Sequence, residues 1–240
     1  MKHWRNHELG QGVDGVKAPA TFMLHGLRPT FQRLVNSRWQ IELHGEDKVP
    51  TSGPVILAAN HIGLLDGPLL AIVSPRPAHV MTKREMFTGP MSAFLVGSGQ
   101  IPLNREGVDV EAILGAQLVL TRGGAVGIFP EGERGAGDVH SAKGGAAYLG
   151  LRSGAPIVPV ALLGTRAPGE HKGYVPPKGT RISLSYGDPL RFDAIPFPRQ
   201  KSTVDEATEV VKQALIATVD RAQDLTGMSL PGPLGDSTHG

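Results

Sequence analysis

Apolar and polar positions fall in blocks along this chain, and the block lengths separate strands from helices. Val55-Ile56-Leu57-Ala58-Ala59, behind Pro54, is a short unbroken apolar run rich in β-branched residues, which predicts a buried strand. Trp39, Ile41 and Leu43 alternate with polar neighbours as in a half-buried strand, and Arg181 to Tyr186 does the same late in the chain. Further strands are expected near 78–82, 125–129 and 157–163, and helices over 65–73, 89–97, 108–122 and 143–153. The clearest helix is 202–225, where Val204, Ala207, Val211, Ala214 and Leu215 form an apolar stripe and Thr203 with Glu206 reads as a capping box. Near the start, Leu24, Leu27, Phe31, Leu34 and Val35 fall on one side of an amphipathic helix over 20–37, which Pro29 should kink or split.

Strands alternating with helices predict an α/β fold, a single domain with a central mixed sheet flanked by helices and an N-terminal amphipathic helical segment. The domain is expected over 20–226, between a flexible N-terminus (1–19) and a loose tail (227–240) containing glycine and proline. The 240 residues are enough for one domain with a large core, and the 32 glycines and 20 prolines imply many tight loops. A formal charge of +2 is too small to indicate nucleic-acid binding, and none is expected. No apolar core of a signal peptide occurs in residues 1–20, and the longest apolar stretches are too short to cross a bilayer.

Absences narrow the chemistry. Without cysteine there is no thiolate nucleophile, no thiolate-ligated metal and no disulfide framework. No Gly-x-Ser-x-Gly elbow occurs, which argues against a serine acyl-enzyme, and no phosphate-binding loop ends in Gly-Lys-Ser/Thr. Gly10 to Gly15 matches the dinucleotide fingerprint in form, but a polar, histidine-containing terminus precedes it where a strand is required. His3 and His7, or His140 with Asp138, do not complete a metal site, so no metal is expected.

One segment carries candidate chemistry: Asn60-His61-Ile62-Gly63-Leu64-Leu65-Asp66. Histidine titrates near neutral pH and can accept a proton from a hydroxyl, and a carboxylate on its other ring nitrogen can fix the tautomer. On an ideal helix His61 and Asp66 would lie about 140° apart, so they meet only if the chain turns between them, and Gly63 makes such a turn easy. The expected strand delivers both to a loop at its carboxyl end, where α/β folds place their chemistry. Lys83, Arg105, Arg134 and Lys143 each fall near a strand end or a glycine-containing loop, and guanidinium groups grip phosphate oxygens in a bidentate fork. Glu131, between Pro130 and Gly132, reads equally well as a turn or capping carboxylate, and Pro130 and Pro159 read as punctuation beside strands.

Four blocks in order, Asn60-His61-x4-Asp66, Lys83 to Arg105, Ile128 to Gly135 with Lys143-Gly144-Gly145, and Pro156 to Val160, resemble the glycerolipid acyltransferase family, whose best-known members are 1-acylglycerol-3-phosphate acyltransferases. The resemblance covers roughly residues 50–165. It implies that His61 is the general base and Asp66 its orienting partner, and that Lys83 and Arg105 bind the acceptor phosphate. Glu131, Gly132 and Arg134 would shape the acceptor site, with Pro159 under the pocket. Glu133 and Gly135 depart from the family pattern, because many relatives carry a small hydroxylated residue and a serine there, and Glu133 would repel a phosphate unless paired with Arg134 or Lys143.

The implied reaction moves an acyl group from acyl-CoA or acyl carrier protein, used as co-substrate with no cofactor, to a hydroxyl of 1-acylglycerol-3-phosphate in phospholipid synthesis. Glycerol-3-phosphate or another polyol or sugar lipid is the alternative acceptor, and a non-catalytic lipid-phosphate binder of the same fold is the alternative class. The partners expected are the glycerophospholipid, the acyl thioester and a membrane surface, met as a peripheral protein on the cytoplasmic face. For that contact the segment 20–39 offers Phe22, Met23, Leu24, Leu27, Phe31, Leu34 and Trp39 beside Arg28, Arg33 and Arg38, although the same stripe suits packing on its own domain.

Overall fold

Along β2 (Val55–Ala59) successive side chains go to opposite faces of the sheet, and both faces are covered. Val55, Leu57 and Ala59 join a core with α1 (Phe22–Gly26), α2 (Arg28–Arg38) and α3 (Asp66–Val73). Ile56 and Ala58 join a second with α5 (Val110–Thr121), α6 (Gly145–Ser153) and α7 (Lys201–Thr226). Burial on two sides explains why this strand is an unbroken apolar run. The structure, a computed structural model, describes residues 18–105, 107 and 109–235. The expected flexible start, the fingerprint at 10–15, His3 and His7 therefore lie outside the described residues, apart from positions 18 and 19.

Among the described residues the seven strands are β1 (Gln40–His44), β2, β3 (Ala78–Lys83), β4 (Ile101–Leu103), β5 (Ala125–Ile128), β6 (Ile157–Leu163) and β7 (Arg181–Tyr186), ordered β1-β7-β6-β2-β5-β3-β4. β6, β2, β5, β3 and β4 run parallel to one another. β7 pairs antiparallel with β6 and parallel with β1, so the sheet is mixed as expected. α4 (Met91–Gly97) follows β3 after a short 3₁₀ turn.

The N-terminal helix is split as expected, at Leu27, with Pro29 in the first turn of α2, where its missing N–H costs nothing. Two expectations need correction. The last helix begins at Lys201 with Gln200 as N-cap and no side-chain cap, so Thr203 and Glu206 form no capping box. The tail is not loose throughout: Met228 and Leu230 pack against a cluster of Val139, Leu163 and Leu215, Pro231 is buried, and Gly232 and Pro233 are hydrogen-bonded through their carbonyls. Residues 236–240 lie outside the described residues.

Candidate active site

β2 ends at Ala59, and the next residue locks the chain that leaves it. The Asn60 side chain is fully buried and accepts the N–H of Leu162 at 2.7 Å while its amide donates to the Leu162 carbonyl at 3.1 Å. This is a side-chain rung between β2 and β6, and it fixes where the following loop starts. The chain then turns and enters α3 at Asp66, which is fully buried in the first turn of that helix.

The turn brings the two predicted groups together. His61 Nδ1 lies 2.7 Å from Asp66 Oδ2, and the same oxygen accepts the backbone N–H groups of Ile62 at 2.7 Å and Gly63 at 2.8 Å. Thr165, in the loop after β6, donates its hydroxyl to Asp66 Oδ1 at 2.5 Å. A carboxylate out of contact with water is tolerated when donors satisfy it, and Asp66 has four. With Nδ1–H facing Asp66, Nε2 is the ring nitrogen left to accept a proton, on a side chain that is 18% exposed. The ring stacks on Phe129, centroid to centroid 4.1 Å, which restrains its tilt.

Gly63 serves a purpose other than the one expected. It is not among the glycines with positive φ, so no left-handed turn demands it. Space does: a Cβ there would sit 2.7 Å from both the carbonyl oxygen and Oγ1 of Thr165.

The loop after β5 closes the other side. Glu131 Oε1 accepts the backbone N–H of His61 at 2.7 Å, and the Gly135 N–H donates to the His61 carbonyl at 2.9 Å. Burial pushes the Glu131 carboxyl up to about 7, against the His61 N–H, which favours its ionised form. The charges of Asp138 and Asp66 push in the same direction as burial. Gly132 takes a φ of +78°, and a Cβ there would lie 2.8 Å from Cε of Lys143, so that lysine crosses directly over the glycine.

Of the expected phosphate ligands, Arg105 and Arg134 share this loop region. Arg105 Nη1 donates to the Gly132 carbonyl at 2.7 Å and Arg134 Nη1 to the Lys172 carbonyl at 2.5 Å. Among the described residues neither makes an ion pair, and the two repel one another, while Asp66 attracts Arg134. Burial lowers the proton affinity of the Arg134 guanidinium without discharging it. Lys83 pairs with Glu85 at 3.3 Å at the end of β3, and Glu85 also feels the charge of Arg105. Glu133 is exposed and pairs with neither Arg134 nor Lys143 among the described residues.

Sequence reasoning missed Thr165, Arg166 and Phe129. Arg166 is 2% exposed and donates to five backbone carbonyls: Ile62 and Gly135 at 2.8 Å, Gly232 at 2.6 Å, Glu170 at 3.0 Å and Pro233 at 3.3 Å. That Thr165 and Arg166 follow the apolar run 157–163, at the carboxyl end of an expected strand, was the one available signal. The N–H groups of Gly63 and Gly132 are already committed, to Asp66 and to the Phe129 carbonyl, so neither is free to hold an oxyanion.

A family model described as Acyltransferase matches residues 40–163. The chain is 30% identical over 130 residues to a 1-acyl-sn-glycerol-3-phosphate acyltransferase of Borreliella burgdorferi, covering 52% of each. It is also 30% identical over 161 residues to 1-acyl-sn-glycerol-3-phosphate acyltransferase alpha of Ovis aries, covering 64% of this chain and 53% of the relative. The chain thus spans about half the length of these curated relatives. The crystal structure of the 1-acyl-sn-glycerophosphate acyltransferase of Thermotoga maritima has the same fold, with a TM-score of 0.59 at 23% identity over 81% of this chain and 78% of that one.

Proposed function

Because the chain belongs to the acyltransferase family, we propose that it moves a fatty acyl group from acyl-CoA or acyl carrier protein to the free hydroxyl of 1-acylglycerol-3-phosphate. The observation that carries this reading is the pairing of His61 with a fully buried Asp66, beside two arginines that make no ion pair among the described residues. The acceptor hydroxyl gives its proton to Nε2 of His61 as its oxygen bonds to the thioester carbonyl carbon. Asp66 stabilises the imidazolium. The tetrahedral intermediate then collapses, the C–S bond breaks, and the departing sulfur takes the proton back from the imidazolium. No covalent enzyme intermediate is needed, which suits a chain without cysteine. Arg105 and Arg134 hold the acceptor phosphate, and the reaction uses no cofactor beyond the acyl donor.

The lipid is reached from the membrane surface. Among the described residues no helix is long and apolar enough to cross a membrane. Phe22 is 81% exposed and Leu34 61% exposed, on helices that also carry the exposed Arg33. Apolar contacts beside basic groups support the reading of a peripheral protein that binds an anionic leaflet, on the cytoplasmic face.

Labelled acyl-CoA with lysophosphatidate, compared for the wild type and His61→Ala, tests the proposal. Loss of the general base should lower turnover about 10²–10⁴-fold. Equal background product from both proteins would leave a lipid-phosphate binder without catalysis.

A further inference from the structure

We propose that Thr165 is a positioning residue for the His61–Asp66 pair: its hydroxyl fixes the plane of the Asp66 carboxylate and so reserves Oδ2 for the imidazole. The two oxygens of Asp66 are used unequally. Oδ2 takes three donors, His61 Nδ1–H and the N–H groups of Ile62 and Gly63, whereas Oδ1 takes the Thr165 hydroxyl. Donors converging on one oxygen locate that atom but leave the carboxylate free to pivot about it. A donor on the second oxygen removes the pivot, and a carboxylate that cannot pivot holds the histidine in one tautomer and one orientation.

Thr165 is built to be rigid. It is fully buried, and its backbone carbonyl packs where a Cβ of residue 63 would stand. Its neighbour Arg166 donates to the Ile62 carbonyl at 2.8 Å, so the end of β6 is tied to the His61 loop a second time, on the N-terminal side of the hydroxyl's target. Thr165 lies beyond residues 40–163, the span that carries the family match. A buried threonine would ordinarily bond a backbone carbonyl or a water. Here it meets the one carboxylate on which the proposed chemistry depends, 99 residues away in sequence.

The inference rests on the acyltransferase reading of the pair, and its test separates the two. Thr165→Val keeps the shape and removes the hydroxyl. It should lower kcat about ten- to a hundredfold while KM for both substrates stays within about twofold. Thr165→Ser, which restores the donor, should recover at least about a third of wild-type kcat. Independently of turnover, ¹⁵N spectra of the His61 ring, assigned by difference against His61→Gln, should show the Nδ1–H tautomer alone in the wild type and a mixture in Thr165→Val. Should Thr165→Val not fold, Thr165→Ser and Thr165→Cys carry the comparison, because they differ little in volume and the thiol is a poor donor. A Val or Cys variant with wild-type kcat and a single tautomer would overturn the proposal, as would a Ser variant as impaired as Val. An inactive wild type would instead count against the acyltransferase reading, and the tautomer measurement would still decide the role of Thr165.

Discussion

Glu131 holds His61 not by its ring but by its backbone: Oε1 accepts the His61 N–H at 2.7 Å across 70 residues of sequence. The carboxylate expected to shape an acceptor site therefore also sets the height at which the His61 loop leaves β2. Its burial gives this anchor a pH signature. The carboxyl is raised from 4.5 to about 7, so between those values the folded protein binds more protons than the unfolded chain. Stability attached to this group is complete below about pH 4.5 and is lost as pH rises through about 7. Glu131→Gln keeps an acceptor for the N–H and removes the titration. Denaturant unfolding should show the variant about 3 kcal/mol better off relative to wild type at about pH 8 than at about pH 4.5. A difference that does not change with pH would mean that Glu131 is not buried as a free carboxyl.

Gly63 predicts a loss without unfolding. Its Cβ would stand 2.7 Å from two oxygen atoms of Thr165, one of them backbone, so Gly63→Ala must push apart the catalytic loop and the end of β6. Overpacking of this kind costs about 1–3 kcal/mol. We expect a folded protein with a lower melting temperature and kcat reduced at least about tenfold. An alanine variant with full activity would show that the loop tolerates this displacement.

Arg105 and Arg134 should act on one substrate only. Each donates to a backbone carbonyl and makes no ion pair among the described residues, so removing either should not strand a buried charge. Arg105→Ala and Arg134→Ala should each raise KM for a phosphorylated acceptor about tenfold or more, with KM for the acyl donor unchanged. Unchanged acceptor kinetics would return the residue concerned to a structural role.

The first two helices should divide into a structural half and a contacting half. Leu24 and Val35 are buried, and α2 is fastened to the end of α3 by Arg28, which donates to the Ile72 and Ser74 carbonyls, and by Gln32, which donates to Ile72. Deleting residues 18–38 should therefore destabilise the domain. Phe22→Glu with Leu34→Glu changes only exposed positions and should leave circular dichroism unaltered. If this surface meets the membrane, the double variant will sediment less with anionic vesicles than the wild type; equal sedimentation would put the contact elsewhere.

What could be read from the sequence was what neighbours in the chain decide. The β2 run and the α7 stripe are local patterns, and the His61–Asp66 pair closes within a single turn, so its five-residue spacing was visible. Thr165, Arg166 and Phe129 come from strand ends that the fold alone brings to His61, and a side chain that bonds a distant backbone carbonyl leaves no periodic trace. β4 has three residues and makes a strand only because β3 is beside it. The tail misled by composition: its glycines and prolines read as loose, while Met228, Leu230 and Pro231 are what the core uses.

The position of β7 between β1 and β6 has a consequence for how this protein is made. On the ribosome β1 emerges early, but the partner that pairs Gln40 with Arg181 and His44 with Ser185 is synthesised about 140 residues later, and the Glu42–Arg181 ion pair spans the same gap. Until then β1 has no strand beside it and one flank of β6 is an open edge, the kind of surface that recruits the wrong neighbour. Long-range pairing of this sort slows folding. The nascent chain therefore completes its sheet only once Tyr186 has been added, and a polypeptide stopped before that residue carries the whole His61–Asp66 loop on an unfinished sheet.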